Sequence, residues 1–400
     1  MSAAAGTETS RTLPLPALVW PLLFGNFVIG TGVMVVPGTL NEITASLDVT
    51  VAVAGQLISL AALLMCIGAP LLAAAVGGWD RRKLLALSML WYGLLHLASA
   101  AAPDFGSLLP LRVISTVAPA IFTPQAAACV GLLVPPQQRG RAITFIFVGW
   151  SVASVLGMPI AAFLGGTLGW RSAFVLVGVL GLASAWWVWR SMPDGVEPPA
   201  LSLRGWGEVV RSRALMLCLL VTVLSSAGQF SLFAYFAPYY KDKLDITPGQ
   251  LSLLFMWFGA FGMLGNVMMS RYIDRIGTHR AVLIGLGLMA LSLLVFPLGT
   301  SLVLAALVNL PWALGCFSSN SAQQARLVAL APSLAAGSIA LNSSAMYAGQ
   351  AIGAATGGWL IAQAGFTQLH WAGAAGLLLA MVASALATYH ARPGVSASTQ

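Results

Sequence analysis

The sequence predicts an all-α polytopic membrane protein, with twelve transmembrane helices arranged as two six-helix pseudo-symmetric bundles. Three observations carry this expectation. The chain is 58% hydrophobic and only 8% charged, too little polar surface to cover a water-soluble globule. Apolar runs recur along nearly its whole length, each at least the ~18 residues that cross a hydrocarbon core of about 30 Å as a helix. The basic residues fall on alternate connecting segments in one consistent sense.

Reading each apolar run against its breakers places helices 1 to 6 at 17–39, 51–76, 84–102, 107–134, 142–167 and 170–190. Helices 7 to 12 follow at 214–240, 249–270, 281–299, 301–328, 334–364 and 370–390. The residues before helix 1 are polar and poor in basic groups, with no cleavage site, so helix 1 is read as retained. The longest polar stretch carries Pro193, Pro198 and Pro199. It divides the chain into an N-terminal bundle (1–190), a cytoplasmic linker (191–213) and a C-terminal bundle (214–400). With both termini inside, every Lys and Arg except Arg112, Arg171, Lys241 and Lys243 lies on the cytoplasmic side, Arg326 and Arg392 included. One missed span would scramble this pattern for every later loop.

The halves repeat at an offset of about 197 residues: Gly68 in helix 2 precedes the first basic loop by the interval that separates Gly265 in helix 8 from Asp274. Helix 5 carries Gly149, Ala153, Gly157, Ala161 and Gly165 at every fourth position, and helix 11 carries Gly349, Gly353 and Gly357. Small residues at that spacing let helix backbones approach closely in lipid. Matching stripes in a six-plus-six arrangement point to two domains rocking against each other.

Several function classes are excluded. The net charge of +8 is spread over separate short loops with no aromatic-interleaved basic patch, so no nucleic acid is expected. Cys66, Cys129, Cys218 and Cys316 each sit inside an apolar run without CxxC or His-rich spacing, so they are small packing residues and no metal or cofactor is expected. No nucleophile elbow, HExxH or paired intramembrane carboxylate marks an enzyme, and no phosphate loop marks an ATP-driven pump. The linker is too short for the output domain of a sensor.

Gly68-Ala69-Pro70 followed by Asp80-Arg81-Arg82-Lys83 resembles the helix 2 to 3 signature loop of the major facilitator superfamily, and Asp274-Arg275-Ile276-Gly277 followed by Arg280 is similar to its fuller form. The resemblance implies that the Asp helps close a cytoplasmic gate by pairing with helix ends or Arg residues. Gly77 stands where the family usually has that Asp in the first half; either the gating role is absent there or it has passed to Asp80. Leu108-Leu109-Pro110-Leu111-Arg112 is similar to the family's helix 4 motif with a buried Arg, and Gly157-Met158-Pro159 with Gly165-Gly166 resembles a helix 5 motif found chiefly in exporters. Gln323-Gln324-Ala325-Arg326 and Leu341-Asn342-Ser343-Ser344 extend the likeness through helices 10 and 11. The resemblance is to the twelve-helix drug/proton antiporter branch. It implies a monomeric multidrug or metabolite efflux permease of a bacterial cytoplasmic (inner) membrane, exporting a drug, sugar, nucleoside or other small amphiphile by alternating access. A proton-independent facilitator of a neutral metabolite is the alternative.

Away from the ends of the expected spans Arg112 is the one permanent charge. It faces protein or a water-filled cavity, or else it snorkels to the outer interface. His96, two-thirds along helix 3, is a candidate proton carrier or a neutral, hydrogen-bonded core residue. No Asp or Glu falls inside an expected span; Gly30-Thr31-Gly32-Val33 occupies the place where related antiporters carry a helix 1 acid, and Glu42 and Asp48 are assigned to the outer end or loop. Coupling or gating candidates are therefore Arg112, His96, Asp80, Arg81, Arg82, Asp274, Arg275, Gly157 and Pro159, the last two as a bend in helix 5 or as static close packing. Asn26, Gln56, Gln125, Trp150, Gln229, Tyr235, Asn309, Asn320 and Gln350 offer hydrogen bonds or ring faces without fixed charge, a lining suited to neutral or weakly cationic amphiphiles. Each has interhelical bonding as its alternative role. Of the aromatic cluster on helix 7, Phe230 to Tyr240, about half are expected to face lipid or headgroups.

Overall fold

Lipid offers backbone N–H and C=O groups no partner, so each apolar run must bond to itself, and a helix does so. The computed structural model describes residues 17–391 except 77, 136–137, 197–210 and 332–334. Gly77, Pro198, Pro199, Arg11, Arg204 and Arg392 lie outside the described residues.

Helix 1 is Val19–Leu47, helix 2 is Gln56–Ala75 entered through the turn Val51–Ala54, and helix 3 is Arg81–Ala100. Helix 4 runs as Phe105–Ser115 and Val117–Leu133, helix 5 as Arg139–Val152, a π-helical Ala153–Gly157 and Met158–Leu168, and helix 6 is Trp170–Ser191. Helix 7 runs as Arg213–Phe233 and Phe236–Leu244, helix 8 is Pro248–Ile276 and helix 9 is Thr278–Leu294. Helix 10 is Leu302–Leu330, helix 11 is Ala335–Ala364 and helix 12 is Leu369–His390. By length and composition ten stretches among the described residues can cross a membrane; one of them, Ser338–His390, contains both helices 11 and 12, and Thr278–Leu294 is shorter.

One boundary and one placement, that of Arg326 among the cytoplasmic loop residues, differ from expectation in a way that matters. Helix 1 does not stop near Pro37: the chain bends at Thr39 (φ −122°, ψ 16°) and continues to Leu47. Thr39 Oγ1 donates to the Val35 carbonyl at 2.8 Å, satisfying one of the groups the bend releases. Glu42 therefore belongs to helix 1 and not to a loop. Arg326 likewise belongs to helix 10, where it is 3% exposed.

The internal repeat is visible in the turns. Asp48 and Asp245, 197 positions apart, both adopt a left-handed conformation (φ 49° and 47°) that ends helices 1 and 7. Two residues on, the hydroxyls of Thr50 and Thr247 accept the Val53 and Gln250 amides, each at 3.3 Å, and start the next helix. Gly277 (φ 81°) makes the sharp turn between helices 8 and 9, a conformation a side chain would strain.

The small-residue stripes pack inside each half, not between halves. A Cβ on Gly149, Gly157 or Gly165 would overlap helix 1 at Leu23, Thr31 and Thr39 respectively. One on Gly349, Gly353 or Gly357 would overlap helix 7 at Val223, Ala227 and Ser231. Helices 1 with 5 and 7 with 11 are thus equivalent close pairs. Contact between the halves uses other residues: helix 2 against helix 11, helix 8 against the π segment and the last part of helix 5, and helix 1 against the end of helix 7. The named contacts lie at the end of the molecule opposite the N-terminus or at mid-depth. Gly55 meets the Tyr235 hydroxyl, Gly166 meets Pro248, Ser252 Oγ donates to the Pro159 carbonyl at 2.9 Å, and Gly259 abuts the Ser154 backbone.

Candidate functional site

Pro37 has no N–H to give the Val33 carbonyl one turn earlier. Arg112, from helix 4, supplies the missing donor: its Nη2 reaches Val33 O at 3.2 Å and its Nη1 reaches Gly32 O at 2.8 Å. The guanidinium is buried, at 3% exposure, and is therefore no interface anchor. His96 lies beside it, with Nε2 3.4 Å from Arg112 Nη1 and Nδ1 2.9 Å from the Tyr92 carbonyl. Arg112 only donates, so Nε2 accepts, and the ring proton is assigned to Nδ1, which donates to Tyr92 O. Tyr92 completes the group: its hydroxyl donates to Ile29 O at 3.2 Å and its ring meets His96 edge-on at 4.2 Å. Helices 3 and 4 thus converge on the bend of helix 1, and the guanidinium meets only carbonyls, an imidazole and a phenol there.

The same packing explains why no carboxylate stands in that stretch of helix 1. Gly30 is covered by Trp150 and Ala153, Thr31 by Gly157, and Gly32 by Tyr92 and Val177, so an acid at 30 or 32 would collide with each. Among the described residues every Asp and Glu lies near a membrane face. Glu42 is the deepest, in the last turns of helix 1 with Lys241 of helix 7 nearby.

A small cavity between the halves is lined by Met34, Met65, Arg112 and Thr116 from the first half and by Phe230 and Gln350 from the second. Other expected lining residues divide by their bonding. Asn26 gives Nδ2 to Leu22 O at 3.1 Å and takes the Thr123 hydroxyl at 2.9 Å, and Gln229 bonds Ser225 O and the Trp312 indole. Asn309 donates to Tyr240 Oη at 2.6 Å, and Tyr235 Oη donates to Ala354 O at 2.6 Å. These four are bonded within their own half. Trp150 packs on helix 1, Gln56 is exposed at the helix 2 entrance, and Gln125, Asn320 and Gln350 have no hydrogen-bond partner among the described residues.

The helix 7 aromatics do not face lipid. Phe233, Tyr235, Phe236, Tyr239 and Tyr240 are all at most 7% exposed. They interlock with Phe255, Phe258, Phe296 and Trp312 at ring-centre distances such as 4.8 Å for Phe236–Tyr240 and 5.4 Å for Phe258–Trp312. Tyr235, at the break between the two parts of helix 7, is the aromatic that reaches the other half at Gly55.

The two signature loops differ. Asp80 Oδ1 caps helix 3 through the Lys83 amide at 2.9 Å, while Oδ2 accepts the Gly195 and Val196 amides at 2.8 and 3.2 Å. Arg82 donates to Trp189 O at 2.8 Å, stacks on the Trp189 ring and lies 3.8 Å from Asp194. Arg81 is buried and donates to Val76 O and Trp79 O, both at 3.1 Å. The first loop therefore holds the start of the linker. Desolvation is the largest single influence and pushes the Asp80 carboxyl up, but the three backbone donors and Lys83 together outweigh it and hold it below the usual carboxylate range. Asp274 and Arg275 are exposed and form no ion pair among the described residues.

Sequence reasoning missed a further buried cation. Arg326 donates to Ser384 Oγ at 2.8 Å, Ser384 O at 2.9 Å and Thr388 Oγ1 at 2.7 Å, and His279 meets Thr388 at 2.9 Å. The signal available was the Ser384/Thr388 pair, one helical turn apart on helix 12.

The sequence profile of the Major Facilitator Superfamily matches residues 22–340 and 218–400, and the chain belongs to that superfamily. It is 30% identical over 371 residues to the inner membrane transport protein YdhP of Escherichia coli (strain K12), covering 91% of this chain and 95% of that one. It is 32% identical over 267 residues to the chloramphenicol resistance protein of Streptomyces lividans, covering 66% and 68%. Its fold matches the crystal structure of the D-xylose-proton symporter with a TM-score of 0.72 at 18% identity, over 91% of this chain and 96% of that one. The protein is a membrane transporter, not an enzyme.

Proposed function

We propose that this chain exports a small amphiphilic molecule by alternating access, as two six-helix domains (1–190 and 214–400) joined by a cytoplasmic linker and crossing the bilayer twelve times with both termini inside. The observation that carries the reading is the placement of the named contacts between the halves, which run from mid-depth to the end away from the N-terminus, with Arg112 and Gln350 lining a cavity between the halves. Rotation about those contacts would open the cavity to one face and then to the other. Likeness to a chloramphenicol resistance protein and the exporter-type Gly157-Met158-Pro159 segment favour export.

Proton antiport is the form of coupling the drug/proton antiporter branch implies. The lack of a mid-depth carboxylate among the described residues favours the second reading, a proton-independent facilitator of a neutral metabolite such as a sugar or nucleoside. Purified protein in liposomes, given a panel of candidate substrates with and without an imposed pH gradient, separates the two. Gradient-driven accumulation is the expected result for antiport, equilibration that ignores the gradient establishes facilitation, and no movement of any solute defeats both.

A further inference from the structure

We propose that Arg112 makes the central cavity electropositive and so restricts transport to neutral and anionic solutes, with lipophilic cations excluded. The inference rests on the reading that solute passes through this cavity, and it names the substrate class that the cavity accepts.

Among the described residues Arg112 is the one charged side chain on the cavity wall, and it stands on the side of the first half facing Phe230 and Gln350 of the second. Among the described residues no carboxylate meets its charge. Helix 1 offers the Gly32 and Val33 carbonyls and helix 3 offers a neutral imidazole and a phenol, while helix 6 packs Phe174 on His96 and Val177 over Gly32. From helix 2 come Ile58, Ala61, Ala62 and Met65, and from the second half Phe230 and Gln350. The nearest acidic groups of the described chain are at the membrane faces. Carbonyl dipoles orient the guanidinium and spread its charge, but they leave the formal charge in place. Its Nε is moreover buried without a partner.

A second positive charge entering this cavity meets that field in a medium of low dielectric, where it is weakly screened. A carboxylate, phosphate or sulfonate is attracted by the same field, and a hydroxyl or amide loses little. Gln350 offers an uncommitted amide opposite Arg112, which can bond a neutral polar group or orient an anionic one. A cation would need a negative group in the lining to offset that field, and the helix 1 segment closest to Arg112 is too tightly covered at Gly30 and Gly32 to hold one.

The test reads the potential directly and needs no known substrate. Single cysteines are placed at Met34 or Gln350 in the full-length protein, with Thr300→Cys on an exposed turn as reference. Each is treated with a sulfonatoethyl (anionic) or a trimethylammonioethyl (cationic) thiosulfonate, and modification is followed site by site by mass spectrometry. Dividing each cavity ratio by the Thr300→Cys ratio removes intrinsic reactivity. The expected result is a sulfonate preference of about tenfold at positions 34 and 350, of the order a single unpaired charge gives at several ångströms, falling to the reference value when Arg112→Gln is added. Equal rates, or faster modification by the cation, overturn the proposal, and so does failure of both reagents at both positions while Thr300→Cys reacts. If Arg112→Gln does not fold, the ratio in the otherwise unaltered protein still decides. Liposome transport measured on the unmodified protein stands apart from this result, so loss of the charge preference and loss of transport are distinguishable.

Discussion

Arg112 and Pro37 act as a pair: the proline frees the Val33 carbonyl and the guanidinium occupies it. Removing the arginine leaves that acceptor buried and unpaired, at a cost of about 1–3 kcal/mol. Arg112→Ala should therefore lower thermal stability in detergent and abolish transport. Pro37→Ala restores a backbone donor to Val33, so the double variant should be more stable than the sum of the singles, by a coupling of about 0.5–3 kcal/mol in a double-mutant cycle. Strict additivity would remove the pairing. His96 is oriented by the same guanidinium, and protonating it would set two cations 3.4 Å apart, a repulsion of about 5 kcal/mol at an effective dielectric of 20. We expect the pH dependence of transport between pH 5.5 and 7.5 to be the same in His96→Gln as in the unaltered protein; a changed profile would make His96 the proton carrier. Arg112 itself was legible from the helix 4 segment, but its partners were not. Carbonyl acceptors carry no side-chain signature, and only the position of Pro37 hints at which ones are free.

At the scale of elements, the glycine stripes separate close packing from mere smallness. A Cβ on Gly353 would press into the Ala227 carbonyl, backbone against backbone, whereas one on Gly68 meets only Leu72 Cδ1 at 3.5 Å. Gly353→Ala should cost about 1–3 kcal/mol and lower the melting temperature, while Gly68→Ala should leave it unchanged. The spacing of the stripes could be read from the chain, but their partners could not, since four-residue periodicity gives a face and not a neighbour. Helix boundaries failed where prolines lay: Pro37 looked like an end of helix 1, and in lipid a bend rescued by Thr39 is tolerated. The Asp80 clamp on Gly195 and Val196 also escaped notice, because its acceptor contacts are to backbone amides more than a hundred residues away. Since that carboxyl is held below its usual range, its contribution is complete above about pH 4, the unfolded value, and is lost as pH falls through the depressed one. Asp80→Asn should hasten proteolytic cleavage after helix 6 at neutral pH, and the difference from the unaltered protein should shrink on acidification below that range. Equal cleavage at pH 7 would show that the clamp does not hold the linker.

For the whole molecule, hydropathy and basic-residue alternation were enough to anticipate the helix order, because a bilayer forces both. What they could not give was the conformational state, which depends on which residues of the two halves meet. At the end away from the N-terminus the contacts include Gly55 with Tyr235 and Gly166 with Pro248, so a bulky side chain at Gly55 should act as a wedge. Spin labels at Ala45 and Asp242 report the end away from the N-terminus, and labels at Lys83 and Arg280 report the opposite end; distances are then measured by double electron–electron resonance in lipid with and without Gly55→Leu. The account predicts a short, narrow Ala45–Asp242 distance in the parent that lengthens in the variant while Lys83–Arg280 shortens. Two distances that stay fixed, or that lengthen together, would contradict a pair of domains rocking about a shared central site.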